Sequence, residues 1–516
     1  MALVYTTSAR KVKAILPAPA ISSARAPAFL QAAGRSARKA GSENDSCGGA
    51  IVFGHSFYYN LGMGNDGAAA QMRRTARPGN QRIGVHMKKQ RTFVILVASL
   101  LALAALSACA GGTEPAAQAT AAPTLSATPQ PTEAPTLEPT PTPEPTPTVI
   151  TIGAIGDIMA MAVQVNGAYD EATGTYDFSR SFVGVADQFR SVDLMCGNFE
   201  STLAGEEAGY SVKKRPEEAA DTFNAPDSII DTLKDIGFDF LSTANNHALD
   251  RQMPGLLRTL DVLDEKGLYH TGTARSNEER DTPLIIDVKG VKIGIVAATE
   301  IINKNDRYMT DEETEYAVTR LYLQQDRLIA QIKATREAGA DFIIAYPHWD
   351  KEHKSAANAR TREAAKLLLE SGVDVILGSH PHVVQSIEYI TVERDGAPYT
   401  GLVVYSMGNF ISNMSNKKDV DPLKYGLYVQ LSLEKALDGT TTLQSAAYMP
   451  LFCFYRSIDN KYLHQVVPAL ADTSRIRSYS ELTDKELQRV ETAREYVIDV
   501  CTTDAIPVMD DADWVD

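Results

Sequence analysis

From Val149 onward the chain alternates short apolar runs with longer segments of helical spacing, an order that constrains it to an α/β domain. The runs are VITIGAI, VDLMC, FDFLSTA, VKIGIVAAT, DFIIAY, VDVIL and GLVVYSM. Helices are expected over Ala225–Gly237, Gly255–Gly267 and Ala359–Gly372, each closing on a glycine suited to a C-cap. No tandem repeat is present.

Polar residues follow these runs. Asp157 follows the first, Asn198 and Glu200 the second, and Asn245, Asn246 and His247 the third. His348 follows the fifth, His380 and His382 the sixth, and Asn409 the seventh. In an open α/β sheet, ligands bind beyond the carboxyl ends of the strands, so these residues converge if the strands are neighbours. The chain has only 9 histidines in 516 residues, and two of them fall inside the three positions of HPH. One Asp, one Glu, an Asn and three His suit Mn²⁺, Zn²⁺ or Fe²⁺. The set is too rich in imidazole for Ca²⁺ or Mg²⁺ and has no thiolate for a structural zinc. Taken singly, each has a plainer role open to it. Asp157 could cap a helix, Glu200 could be a solvated turn residue, and NNH could be a turn tolerating left-handed backbone. His348 beside Trp349 could be a packing histidine, HPH a structural turn, and GNF a place where glycine permits close backbone approach. Their joint occurrence at strand ends favours ligands.

Six stretches, GDIM, GNFES, ANNHALD, HWDKEH, GSHPHVVQ and YSMGNFI, occur in order over about residues 149–415. Together they resemble the bacterial capsule synthesis protein CapA family, linked to poly-gamma-glutamate capsules and related to the calcineurin-like metallophosphoesterases. The resemblance implies a metallophosphoesterase-like four-layer α/β/β/α sandwich. It assigns Asp157 and His382 to one metal, Asn246, His348 and His380 to another, and Glu200 as the bridge. The cofactor expected is a divalent transition metal (Mn, Zn or Fe), as one or two ions. His247 would stabilise or protonate the leaving oxygen, with Asp250 orienting it. The pattern departs at Met159, which stands where phosphoesterases usually carry a further histidine, so one metal position is a ligand short. Asp350 stands where relatives often have glycine, and His353 where they often have an aromatic residue. As a lone loop histidine, His353 reads as solvated surface.

Residues 87–109 have a basic start, an apolar run from Phe93 to Leu106 and then small residues. That is a secretory signal, its apolar run shorter than the roughly 20 residues of a spanning helix. Its end, LSAC, resembles the bacterial lipobox, which implies a lipidated Cys109 tethering the chain to the cell membrane on its extracytoplasmic face. A buried cysteine in an uncleaved anchor helix is the alternative. Residues 1–86 read as an upstream over-extension of the frame, with a transit-type sequence as the alternative. Residues 110–148, rich in Pro and Thr, form an extended solvated linker. Residues 416–516 include the charged helix candidate DKELQRVETAREYVIDV and are expected to pack on the 149–415 domain.

Residues 92–516 hold 36 Lys and Arg against 62 Asp and Glu, a net charge near −26. That argues against nucleic acid as a partner. It also opposes tight binding of polyglutamate unless metals or a basic patch such as Lys213–Arg215 neutralise the polymer. Beyond Cys109 the cysteines are Cys196, Cys453 and Cys501, so at most one disulfide forms within the chain, Cys453 with Cys501 being possible. Two functions compete. One is a metal-dependent, phosphoesterase-like hydrolase acting on a capsule polymer or another envelope phosphoester. The other is a non-catalytic accessory subunit of a capsule synthase or export complex, whose metal site is structural or binds polymer.

Overall fold

In a computed structural model describing residues 146–211, 222–458, 460–501 and 505–516, the apolar runs become strands of two sheets. The signal segment with Cys109, residues 1–86, the linker up to residue 145 and Lys213–Arg215 lie outside the described residues. The first sheet begins with β1 (Thr148–Ile158), β2 (Leu194–Phe199), β3 (Phe238–Ser242) and β4 (Tyr269–Thr271), all parallel. The second contains β5 (Leu284–Val288), β6 (Val291–Thr299), β7 (Phe342–His348), β8 (Val375–Leu377), β9 (Ile387–Arg394) and β10 (Ala397–Val404). Its central strands β6, β7, β8 and β10 run parallel, with β5 and β9 added antiparallel at the edges.

The chain then returns to the first sheet through β11 (Asn409–Ile411), β12 (Tyr425–Lys435), β13 (Thr441–Ile458) and β14 (Lys461–Pro468). β12 pairs antiparallel with β1, and β13 and β14 follow outward, giving an eight-stranded sheet. Residues 416–516 therefore do more than cover the domain, because their strands complete one of its sheets.

Alternation along the second sheet sets the layers. Ile293 and Ile295, Ile344 and Tyr346, and Val375 and Leu377 join the core shared with the first sheet, where Tyr346 meets Phe240 at 5.5 Å between ring centroids. The intervening Val296, Ala298, Ile343, Ala345 and Ile376 face outward into a second core. That core is closed by α3 (Gln325–Glu337) and α4 (Ala359–Glu370) through Leu328, Ile332, Ala365 and Leu369. On the first sheet, α1 (Ser228–Asp235) and α2 (Gln252–Lys266) pack near β3 and β4, and α5 (Asp484–Val500) packs on β13. The result is a four-layer α/β/β/α sandwich. Gly267, at φ +69°, ends α2 in the left-handed conformation expected of its C-cap.

No disulfide joins the three described cysteines, all of which are buried. Cys453 lies on β13 with its thiol on the Ser412 carbonyl at 3.6 Å, and Cys501 follows α5. Among the described residues no helix is long and apolar enough to cross a membrane.

β14 carries a titratable group in the interior. His464 is 2% exposed, and its Nε2 lies 3.0 Å from Asn413 Oδ1. Burial, with the Lys424 ammonium nearby, pushes its pKa down to about 4. The unfolded chain therefore takes up this proton near pH 6.5 and the folded chain does not until about pH 4. Stability from His464 is thus fully present above pH 6.5 and is lost as pH falls toward 4, by about 3 kcal/mol at 1.36 kcal/mol per pKa unit. In urea melts at pH 7 and pH 4, His464→Gln is expected to lose about that much less than wild type. An equal loss in both proteins would contradict it.

Candidate metal centre

The carboxyl ends of the parallel strands of both sheets meet at one buried polar cluster. Asp157 lies at the end of β1, Glu200 directly follows β2, and Asn246 and His247 occupy the turn after β3. His348 ends β7, while His380 and His382 lie in the turn after β8. None of these seven residues is more than 7% exposed.

Neighbouring side chains fix the orientation of each. His348 Nε2 lies 2.9 Å from Asn246 Oδ1, and its Nδ1 lies 3.0 Å from Ser379 Oγ. Asn198 donates to Asp157 Oδ1 at 2.8 Å and lies 3.3 Å from His348 Nδ1, tying the two sheets together at the site. His382 Nδ1 lies 3.2 Å from Asp157 Oδ2 and 3.0 Å from Asn409 Oδ1. The turn that carries the histidine pair is left-handed on both sides of Pro381, with φ +98° at His380 and +57° at His382. Such backbone costs on the order of 1–3 kcal/mol per residue and persists only where the surroundings enforce it. The Asp157 carboxylate helps enforce it by accepting the His380 N–H at 3.3 Å.

Glu200 stands apart because neither of its buried carboxylate oxygens receives a hydrogen bond. Its Oε1 lies 3.7 Å from Nε2 of His348, 3.7 Å from Nε2 of His382 and 3.9 Å from Nε2 of His247. These separations are too long for hydrogen bonds. The two 3.7 Å separations, to His348 and His382, are close to the roughly 3–3.6 Å that bonds of about 2.0–2.2 Å put between neighbouring ligand atoms of one ion, while His247 lies farther off. Asp157, Glu200 and His348 form one group whose potential ligand atoms lie within 4.8 Å of one another, and Glu200, His380 and His382 form a second. Glu200 belongs to both, and His380 Nδ1 is also buried without a partner. The residues present therefore fit a divalent cation.

Electrostatics point the same way. Burial, reinforced by neighbouring imidazoles, holds His348 well below the ordinary histidine range and His380 at about 3, so both are in the neutral, ligating form. Burial also raises Glu200, with Asp157 adding to the rise. For His382 burial acts downward, but the Glu200 and Asp157 carboxylates outweigh it and push the imidazole up to about 10. Both shifts favour protonated forms where the Glu200 and Asp157 carboxylates crowd together, and a bound cation would take over that charge balance.

His247 is held differently. Its Nδ1 lies 2.6 Å from Asp250 Oδ2, which also accepts the Phe223 N–H at 2.7 Å. The Phe223 ring covers the imidazole at 4.1 Å between centroids, leaving Nε2 on the Glu200 side. The structure thus brings together Asp157, Glu200, Asn246, His348, His380 and His382, with His247 and Asp250 beside them.

Three orienting residues lacked a role in the sequence. Asn198 and Asn409 follow apolar runs of the sequence as the acidic and histidine residues do, yet type and position alone do not show which imidazole each would meet. Ser379 sits inside GSHPH, where the two histidines carry the signal. Met159 is buried and places no imidazole at the centre, leaving the expected gap. Asp350 has φ +74°, which explains why glycine suits that position. Its carboxylate accepts the N–H groups of Lys351 at 2.7 Å and Asn358 at 3.0 Å, offsetting the strain and anchoring the start of α4. His353 is exposed, and its N–H donates to the Pro381 carbonyl at 2.7 Å.

Comparison with known proteins places this centre in a family. Residues 151–414 match the bacterial capsule synthesis protein PGA_cap family. The chain is 26% identical over 286 residues to the capsule biosynthesis protein CapA of Bacillus anthracis, covering 54% of this chain and 64% of that one. It is 28% identical over 266 residues to the PGA biosynthesis protein CapA of Bacillus subtilis (strain 168), covering 51% of this chain and 63% of that one. The chain therefore spans somewhat under two thirds of these relatives. Among solved structures, the calcineurin-like phosphoesterase YfkN from Bacillus subtilis is similar with a TM-score of 0.34 and 16% identity, over 68% of this chain and 99% of that one. The Haemophilus influenzae NAD nucleotidase is similar with a TM-score of 0.36 and 13% identity, over 70% and 64% of the two chains. The family match spans the strands that carry every residue of the centre, and the chain belongs to the bacterial capsule synthesis protein PGA_cap family.

Proposed function

We propose that this chain is a membrane-tethered, extracytoplasmic hydrolase of capsule biosynthesis, cleaving a phosphoester or similar bond in an envelope polymer. The observation that carries the reading is Glu200, a buried carboxylate without a hydrogen bond among three imidazole nitrogens. Asp157, Glu200, Asn246, His348, His380 and His382 would hold one or two ions of Mn²⁺, Zn²⁺ or Fe²⁺. Such ions supply Lewis acidity toward the substrate oxygen and lower the pKa of water. His247 presents Nε2 to the leaving oxygen for proton transfer, and Asp250, at Nδ1, fixes the ring plane. Phe223 covers one face of that imidazole and limits water there.

The test is turnover by the full chain, loaded with Mn²⁺ or Zn²⁺, against a panel of phosphomonoesters and phosphodiesters. Turnover abolished both by chelation and by His380→Ala supports the hydrolase. A metal-loaded chain that turns over none of them favours the second reading, an accessory subunit of a capsule synthase or export complex. That reading draws support from Met159, which leaves one metal position a ligand short.

The tether is proposed through Cys109. Cys109→Ala is expected to release the protein or leave an unprocessed precursor, read by lipid labelling and membrane fractionation. Unchanged labelling and fractionation would rule the tether out.

A further inference from the structure

A second polar cavity, of about 300 Å³, opens beside β12 and β13 and contains none of the residues of the metal centre. Its size is at the lower end for a small-ligand site. Four cations line it, and two of them are partly buried, Lys424 just before β12 and Arg489 on α5. Lys424 is partly buried, its ammonium 4.4 Å from the centre of the Tyr455 ring. Among the described residues neither cation forms an ion pair. Elsewhere on the same surface Arg475 is paired with Asp516 at 2.8 Å and Arg477 with Asp484.

Carboxylates do line the cavity, but two of them are engaged by other donors. Asp421 accepts from Ser415 Oγ and from the Asn416 N–H. Glu486 accepts from the Thr483 N–H and hydroxyl, both at 2.7 Å, as part of the capping box that starts α5. Asp419 is exposed, as are Lys417 and Lys418, so the outer lining has a net positive charge. The remaining wall is aromatic, with Phe452 and Phe454 stacked at 6.0 Å and 14° between ring planes.

Holding two cations in a partly desolvated cavity without an ion pair of their own, its buried carboxylate Asp421 already engaged by other donors, is unfavourable for the protein alone. Burial lowers the Lys424 pKa against the opposing pull of Cys453 and the Asp421 carboxylate, with Arg489 adding a smaller repulsion. An oxyanion between Lys424 and Arg489 would relieve that cost through charge-assisted hydrogen bonds, and the aromatic wall would take up a flat apolar body attached to it. We propose that this cavity is a binding site for a small oxyanion, phosphate or carboxylate, carried on a flat apolar group. The site is separate from the metal centre and does not depend on the hydrolase reading. Hydrogen bonds link it toward that centre, because the Leu423 carbonyl beside Lys424 accepts from Asn409, the partner of His382.

The test is calorimetric titration of the full-length protein with inorganic phosphate, phenyl phosphate and benzoate. It is done in a His382→Ala background, so that phosphate held at the metal centre does not contribute. Phenyl phosphate or benzoate is expected to bind, phenyl phosphate more tightly than inorganic phosphate. Lys424→Met and Arg489→Gln are each expected to weaken binding about tenfold or more, the scale of one lost charge-assisted contact. Arg489 is partly exposed on the surface of α5, so Arg489→Gln decides the matter if Lys424→Met fails to fold. The proposal is overturned by the absence of binding for all three probes, or by affinities unchanged in Arg489→Gln. Separating phosphate from carboxylate, the ratio of phenyl phosphate to benzoate affinity identifies the oxyanion preferred.

Discussion

His382→Ala is expected to remove most of the bound transition metal from the purified protein and to abolish any hydrolysis, while the fold survives. His382 lies against Asp157 on one side and Glu200 on the other, so its loss takes an imidazole nitrogen from the centre and leaves two buried carboxylates without it. Even residues that only support a metal ligand are commonly worth about 10- to 100-fold in affinity, so direct loss of a ligand is expected to cost about 100-fold or more. His380→Ala should act similarly, because Nδ1 of His380 is buried without another partner. Metal content by elemental analysis after dialysis, paired with thermal melting, reads both effects. Full metal content in either variant would remove that residue from the ligand set.

The second large effect expected is on turnover alone. His247→Ala should keep its metal but lose activity by about 10²–10⁴-fold, the usual contribution of a positioned acid or base. The separation follows from geometry: Nδ1 of His247 is occupied by Asp250 at 2.6 Å, and Nε2 is 3.9 Å from Glu200. Asp250→Asn should lie between wild type and His247→Ala, because the amide keeps a contact with the imidazole but no longer offers a carboxylate to its N–H. Kinetics and metal content measured on the same preparations check this. Parallel loss of metal and turnover in His247→Ala would make it a ligand instead of an acid.

How far the sequence carried this account differs by element. VKIGIVAAT and DKELQRVETAREYVIDV coincide with β6 (Val291–Thr299) and α5 (Asp484–Val500), because periodicity and capping are local properties. Strand ends were less legible. GDI and GNF lie within β1 and β2, since pairing with neighbouring strands, not the apolar run, decides where a strand stops. The β9–β10 hairpin was missed although Asp395 and Gly396 at its turn, with φ +54° and +80°, carry the Asp-Gly signal for such turns. That β12 pairs with β1 is a contact between distant segments that no local pattern encodes. The residues of the centre were readable because each lies at or just beyond the carboxyl end of a strand in a recognisable motif. The roles of Asn198 and Ser379 were not, because each depends on which imidazole from a different strand comes within reach.

The most direct test of the centre is the metal content of the full-length wild-type protein after purification in Mn²⁺ and Zn²⁺ and exhaustive dialysis, with His380→Ala treated in parallel. The geometry around Glu200 predicts a stoichiometric transition metal in wild type, at one or two ions per chain, and a clear deficit in the variant. A well-folded wild-type protein free of transition metal, together with a His380→Ala variant of unchanged thermal stability, would contradict it.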